Sequence, residues 1–246
     1  MNMGHELWFT ALLNKILGVP VSAFLTRLGL PPTNTAHPIP NYIAMEILVG
    51  LVILAGAVFL RRQLSVEHPG NFQHSMEVVI EFTRDLNNDL IGHGSERYIA
   101  IVGTLGVFVL LGNLLGLVPT FETPTASVPV TLGCAVVAFV YYNFQGVRKH
   151  GPFGYLKHLC GPMIFIAPLM LPIEIFSNFF RLLSLTARLW ANMLVGGILE
   201  GIFTGLVPIF VPALFMGLHV FVSFMQAYVF MLLPAVYISF AVSEEH

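Results

Sequence analysis

Five apolar runs dominate the chain. Each is long enough to cross the ~30 Å hydrocarbon layer of a bilayer, which takes about 20 residues of helix. They cover residues 42–60, 98–118, 128–144, 169–203 and 212–240. In lipid the backbone must satisfy its own hydrogen bonds, so such runs are helices or the strands of closed barrels. The ~10-residue alternation of a barrel strand is missing from the sequence. The expected fold is therefore all-α, a polytopic membrane protein with five transmembrane helices. Composition points the same way: 56% of the 246 residues are hydrophobic and 10% are charged, against about 25% charged in soluble domains.

The last two runs are too long to stand upright. They hold about 35 and about 29 residues, or roughly 50 Å and 43 Å at ~1.5 Å per residue. Neither has a polar end long enough to protrude, so both are expected to tilt strongly. Arg61, Arg62, Arg84 and Arg97 lie between the first and second runs, and Arg148, Lys149 and Lys157 between the third and fourth. The connections 119–127 and 204–211 carry no basic residue. Positive charge favours the cytoplasmic side. The N-terminus then lies outside and the C-terminus inside. Residues 1–40 become an outer-side lead-in, and residues 41–246 a single transmembrane domain. The lead-in is apolar but interrupted by Asn14, Lys15, Pro20 and Arg27, unlike the clean core of a secretory signal.

Between the first two runs, Phe72, Met76, Val79, Ile80 and Leu86 recur at helical spacing, with Glu77, Glu81, Arg84 and Asp85 among them. This pattern fits an amphipathic helix on the cytoplasmic surface, or a solvated linker helix. A net charge of −2 without a basic block argues against nucleic acid as a partner. Phosphate-loop, zinc-spacing and serine-elbow motifs are missing, so no catalytic residue, cofactor or metal site is expected. Cys134 lies in an apolar run and Cys160 in a polar connection, which is no disulfide framework.

Polar residues inside the runs carry the functional signal. Arg188 is the only charged residue between Leu182 and Leu199. A guanidinium at a bilayer centre costs ~3 kcal/mol on insertion scales. It cannot escape by deprotonation, because its pKa exceeds ~12. A partner charge or an ion path is the usual reason for such a residue. Glu174, Arg181 and Arg188 are spaced by seven and share a helix face, with Ser177, Asn178, Ser184 and Asn192 widening the stripe. His219, Ser223 and Gln226 form a shorter stripe on the last run.

Each residue also has a plainer reading. Arg181 can snorkel to headgroups. Glu174 can pair with Arg181, and Arg188 with Glu200 or Glu46. His219 can be a packing histidine and Gln226 interhelical glue. Gly197, Gly201 and Gly205 recur every fourth residue, as do Gly112 and Gly116, and such ridges let helices approach closely. Pro172 suits a helix start, Pro208 with Pro212 a turn, and Pro234 a kink. Three classes fit these residues: an ion-translocating subunit, a self-contained channel or secondary transporter, and a scaffold with internally paired charges. Inverted repeats, common in transporters, are not evident.

The segment Ser184-Leu-Thr-Ala-Arg188-Leu-Trp-Ala-Asn192-Met193 resembles the signature of subunit a of F-type ATP synthases. Pro172-Ile-Glu174, Gly112-Asn-Leu-Leu-Gly-Leu-Val-Pro119, the stretch from His219 through Gln226-Ala-Tyr-Val-Phe230 to Tyr237-Ile-Ser239, and the closing Ser243-Glu-Glu-His246 match in order. The resemblance covers residues 40–246. It implies a stator subunit of a rotary ATP synthase in a bacterial inner membrane. Two aqueous half-channels would pass protons to and from a carboxylate of the c-ring, with sodium left open because the ring itself binds the ion. Peripheral-stalk b subunits and membrane lipid would be its other partners.

Arg188 corresponds to the arginine that faces the ring carboxylate. Glu174 and Ser184 correspond to the cytoplasmic half-channel, and Asn192, His219 and Gln226 to the surroundings of Arg188 or the outer half-channel. Asn113 would lie near the outer entrance. One departure stands out. Gly197 occupies the position where many members carry a relay acid or histidine, and Glu200 could substitute.

Overall fold

A computed structural model describes residues 7–27, 38–65, 70–92, 94–118, 121–160, 167–206 and 210–242. Seven α-helices follow one another among them: α1 Trp8–Arg27, α2 Asn41–Gln63, α3 Asn71–Ile91, α4 Ile99–Leu115, α5 Val128–Cys160, α6 Ala167–Leu206 and α7 Phe210–Val242. Short 3-10 turns, Ser95–Tyr98 and Pro124–Ala126, precede α4 and α5. Among the described residues there is no strand. Five helical segments are long and apolar enough to cross a membrane: Asn41–Gln63, Ser95–Leu115, Val128–Pro152, Leu169–Phe203 and Ala213–Val242. The sequence runs and these segments coincide within a few residues at most ends. Pro119, the turn at Pro208 and the closing Ser243–His246 lie outside the described residues.

α7 is the hub and packs on α3, α4, α5 and α6. One cluster joins Tyr98, Val102, Tyr142, Tyr155, Met231, Ala235 and Ile238, and a second joins Val109, Cys134, Leu185, Leu189, Met193 and Phe230. Between lipid-embedded helices the hydrophobic effect supplies little attraction, so close van der Waals fit carries the assembly. Gly106 shows how the fit is reached: a side chain there would collide with Met231 of α7. The outward faces stay apolar, with Leu51, Val52, Leu54 and Phe59 of α2 exposed. These side chains suit lipid as solvent.

α6 is 40 residues long without a break, or roughly 60 Å at ~1.5 Å per residue. That is about twice the hydrocarbon thickness. Pro172 lies inside it, not at its start. Proline has no N–H, so the carbonyl four residues earlier, at 168, loses its helical donor; the break in the ladder falls in the second turn, where that one bond is lost close to the helix start.

α5 also departs from expectation. The third run ends by composition near 144, but helix continues to Cys160 through a kink at Gly151, whose φ of 73° suits glycine. Tyr155 folds back beyond the kink. Its hydroxyl donates to Asn143 Oδ1 at 3.0 Å, and its ring fills the space left by Gly146.

α3 is the expected amphipathic helix, and it packs on α4 and α7 instead of standing free as a linker. The Gln73 amide ties Ser65, just past α2, to α3, donating to the Ser65 carbonyl at 3.0 Å and accepting from the Ser65 N–H at 3.1 Å. Ser239 Oγ donates to the Leu90 carbonyl at 2.6 Å, tying the end of α7 to the end of α3. The lead-in contains a helix, α1. The Asn14 side chain bonds both backbone groups of Ile39, at 3.2 Å and 3.0 Å. Trp8, Ile16 and Val19 on α1 are exposed.

The ends of the bundle differ in charge. Asn41 Nδ2 donates to Glu122 Oε1 at 3.2 Å, so the start of α2 shares an end with the 121–127 connection. At the other end, Arg97, Arg148, Lys149 and Val242 line one cavity.

Candidate functional site

α6 presents two faces. Leu185, Leu189 and Met193 turn into the core, as do Asn178 and Thr186. Ser184, Ala187, Arg188, Asn192 and Val195 lie on the exposed side. Gly197, Gly201 and Gly205 meet nothing within 4 Å among the described residues, so this ridge packs against none of them. Gly112 and Gly116, by contrast, lie against Pro124, Thr125 and Thr123. Arg188 therefore sits on an open face of the longest helix. Among the described residues it forms no ion pair, with Glu46 and Glu200 included.

Two polar clusters flank Arg188 along the antiparallel pair α6–α7. The first gathers Glu174, Asn178 and Arg181 of α6 with Tyr142 of α5 and Tyr237 of α7. Arg181 Nη2 lies 3.7 Å from Glu174 Oε1, with side chains 28% and 31% exposed. Arg181 Nη1 donates to Asn178 Oδ1 at 3.4 Å, and the Tyr142 hydroxyl donates to the same oxygen at 2.9 Å. The guanidinium carbon stands 5.1 Å from the Tyr237 ring centroid. That is within cation–π range. Tyr155 lies close enough to feel both charges. Burial pushes its hydroxyl up, the Glu174 carboxylate adds to that, and Arg181 opposes it. Tyr155 thus stays a neutral donor at physiological pH.

The second cluster is buried and uncharged unless its histidine takes a proton. Asn113, Thr125, His219, Ser223 and Gln226 are each at most 7% exposed. Thr125 Oγ1 donates to Asn113 Oδ1 at 2.5 Å. His219 Nε2 is 3.3 Å from the Asn113 backbone carbonyl, and Ser223 Oγ donates to the His219 carbonyl at 2.7 Å. Gln226 Nε2 donates to the Arg188 backbone carbonyl at 3.3 Å, which places the amide at the level of the arginine. Asn113 Nδ2 and Gln226 Oε1 are buried without a hydrogen-bond partner among the described residues. Such atoms carry a desolvation penalty of about 1–3 kcal/mol each, and water or a mobile side chain commonly satisfies them.

Gly196, not Gly197, is the glycine beside the histidine. A methyl on Gly196 would come 3.6 Å from His219 Nδ1, whereas Gly197 faces open space. Glu200 is one turn past Gly196, half-buried and engaged in contacts. Four residues return a helix to nearly the same face. The structure thus brings Asn113, His219 and Gln226 together and leaves Ser184 and Asn192 with Arg188 on the open face. Glu174 is joined to Arg181. Thr125 and Tyr142 are polar partners that the sequence reading missed. Their only local signal is a hydroxyl within or beside an apolar run. Among the described residues no group of His, Cys, Asp and Glu could hold a metal ion.

Five apolar helices around a line of polar side chains, with a permanent cation at mid-helix, define an integral membrane protein built for ion transfer. A family model described as ATP synthase A chain matches residues 43–239. The chain is 47% identical over 244 residues to ATP synthase subunit a of Koribacter versatilis (strain Ellin345), spanning 99% of this chain and 100% of the relative. It is 47% identical over 219 residues to that of Solibacter usitatus (strain Ellin6076), covering 89% and 93%, and 42% identical over 220 residues to that of Geotalea uraniireducens (strain Rf4), covering 89% and 95%. The chain belongs to the ATP synthase A chain family. It is a proton-translocating component of that complex and not an enzyme on its own.

Proposed function

We propose that the open face of α6 meets the c-ring of the same complex and that Arg188 confronts the ring carboxylate. The observation that carries this reading is a mid-helix guanidinium that is exposed and makes no ion pair among the described residues. Lipid alone is a poor environment for it. The small residues Ser184 and Ala187, together with the Gly197–Gly201–Gly205 ridge, leave room for a second helix.

Protons enter through the Asn113–His219–Gln226 cluster, on the outer side. His219 accepts and releases the proton, with Glu200 beside it in place of the acid absent at Gly197. Asn113, Thr125 and Gln226 orient water along the way. The proton passes to the ring carboxylate, and the neutral acid can then enter lipid, which the anion cannot do cheaply. After nearly a full turn the acid reaches the Glu174–Arg181 cluster on the cytoplasmic side. As the acid comes abreast of Arg188 from that side, the guanidinium favours the anion. At ~4 Å and an effective dielectric of ~20 the attraction is ~4 kcal/mol, or ~3 pKa units. That is enough to release the proton. Along the helix axis Arg181 and Glu174 lie roughly 10 Å and 21 Å from Arg188 on one side, and His219 lies roughly 10 Å from the level of Arg188, marked by Gln226, on the other. A fixed cation between the two clusters is an electrostatic barrier to direct leakage. The membrane potential drives the flow with ~2.3 kcal/mol per proton per 100 mV.

Strong tilt of α6 and α7 follows from their lengths and lets them wrap a ring. The basic end of the bundle is the cytoplasmic end by charge bias. Residues 1–40 are then the outer lead-in and 41–246 the single transmembrane domain. The exposed apolar surfaces of α1 and α2 suit the peripheral-stalk b subunits and lipid.

The test is Arg188→Ala in the assembled complex in membrane vesicles. Gradient-driven ATP synthesis should fall to background while passive proton permeability rises. Synthesis at the normal rate overturns the role. A purified chain that conducts protons without a ring would favour the channel reading instead.

A further inference from the structure

The basic end of the bundle holds a cavity of about 740 Å³, well within the range of ligand pockets. Three separate segments build it. Arg97 comes from the turn before α4, Tyr141, Gln145, Arg148 and Lys149 from α5, and Val242 from the end of α7. No carboxylate lines it among the described residues. Lys149 Nζ donates to the Val242 carbonyl at 2.7 Å and so fixes one wall. Arg97 and Arg148 are exposed and form no ion pair among the described residues. Two guanidinium groups that converge on one cavity repel each other. The segments ending here belong to three membrane-crossing helices, so the cavity lies at the level where hydrocarbon gives way to headgroups. Tyr141 suits that level, because amphipathic rings collect at membrane interfaces.

We infer that this cavity binds the phosphodiester headgroup of an anionic phospholipid. Arg97, from the turn before α4, and Arg148, from α5, hold the phosphate, and Gln145 donates to its oxygens or to the glycerol. Guanidinium groups match phosphate oxygens with two parallel bonds. Basic pockets between transmembrane helices on the cytoplasmic side are a recurrent headgroup site. The bound lipid staples the α3–α4 corner, α5 and the end of α7. These elements also frame the Arg181 cluster, but the site itself does not depend on the proton path.

The whole complex is reconstituted in nanodiscs of phosphatidylcholine with a minor share of phosphatidylglycerol, released, and weighed by native mass spectrometry. The wild type should retain phosphatidylglycerol in preference. The pair Arg97→Gln with Arg148→Gln should hold it about thirtyfold less well, since each basic residue near an anionic surface contributes roughly fivefold. Arg61→Gln with Arg62→Gln, the same charge change in the last turn of α2, should retain it like the wild type. Equal retention in all three, or equal loss in both variants, overturns the site. If the first pair fails to assemble, a photoactivatable phosphatidylglycerol on the wild-type complex replaces it. Label concentrated near Arg97 and on 141–149 supports the site. Label spread evenly over the lipid-facing helices, or displaced by soluble glycerol phosphate, overturns it.

Discussion

The two polar clusters beside Arg188 solve the same problem in different ways. Around Asn113 and His219, the polar atoms are buried, and two of them lack partners among the described residues. Around Arg181, the guanidinium and the Glu174 carboxyl are about a third exposed and pair with each other, and Asn178 and the Tyr237 ring hold the arginine. A buried neutral cluster relies on a single titratable group, so each atom matters. A charged, partly wet cluster has spare routes through water, and the loss of one group is shared. If the two clusters are the two halves of the proposed path, the half with fewer charges is expected to be the sensitive one.

Proton flux through the assembled complex in vesicles tests that contrast. The largest effect is expected from His219→Leu, which removes the only titratable group of its cluster. Flux should drop about a hundredfold, in the range of a lost proton-transfer group. A smaller drop than from Glu174→Gln would invert the contrast. Next comes the histidine's neighbourhood. If Glu200 serves as the acid, Glu200→Gln should slow flux. Adding Gly196→Glu should then restore it better than adding Gly197→Glu, because only the former side chain starts beside His219 Nδ1. Equal rescue by both would remove the distinction between the two glycines.

Smaller still is Gln226→Leu, which deletes the bond to the Arg188 carbonyl. About 1 kcal/mol, or roughly fivefold in rate, is expected from one hydrogen bond. The smallest effect should come from Glu174→Gln. A pair this exposed is worth under ~1 kcal/mol, so flux should fall less than about fivefold and thermal stability of the complex should scarcely move.

Much of this arrangement is written in local sequence. Transmembrane runs announce themselves by length and apolarity, because the bilayer imposes one dimension on every span. Arg188 is equally plain, since a lone guanidinium has no neutral form to hide in. The stripe spacing put Glu174 and Arg181 together, and the plainer reading of those two as a pair matches their 3.7 Å approach. Other features were not legible. Tyr155 returning to Asn143 depends on a left-handed residue at Gly151, and a glycine alone does not say whether a helix stops or bends. Thr125 and Tyr142 meet partners 12 and 36 residues away. Such pairings follow from tertiary packing, not from periodicity. The same holds for Gly196. The choice between adjacent glycines turns on the rotation of α6 against α7, which no spacing rule fixes.

The account depends on which surface of α6 meets the rotor. Disulfide formation in assembled complexes addresses it directly, with a cysteine beside the ring carboxylate and single cysteines at Ser184, Ala187 or Asn192. The control is Leu54→Cys on the lipid-exposed side of α2. The three α6 positions should cross-link to the ring and Leu54→Cys should not. Cross-linking from Leu54→Cys, with none from α6, would contradict the account.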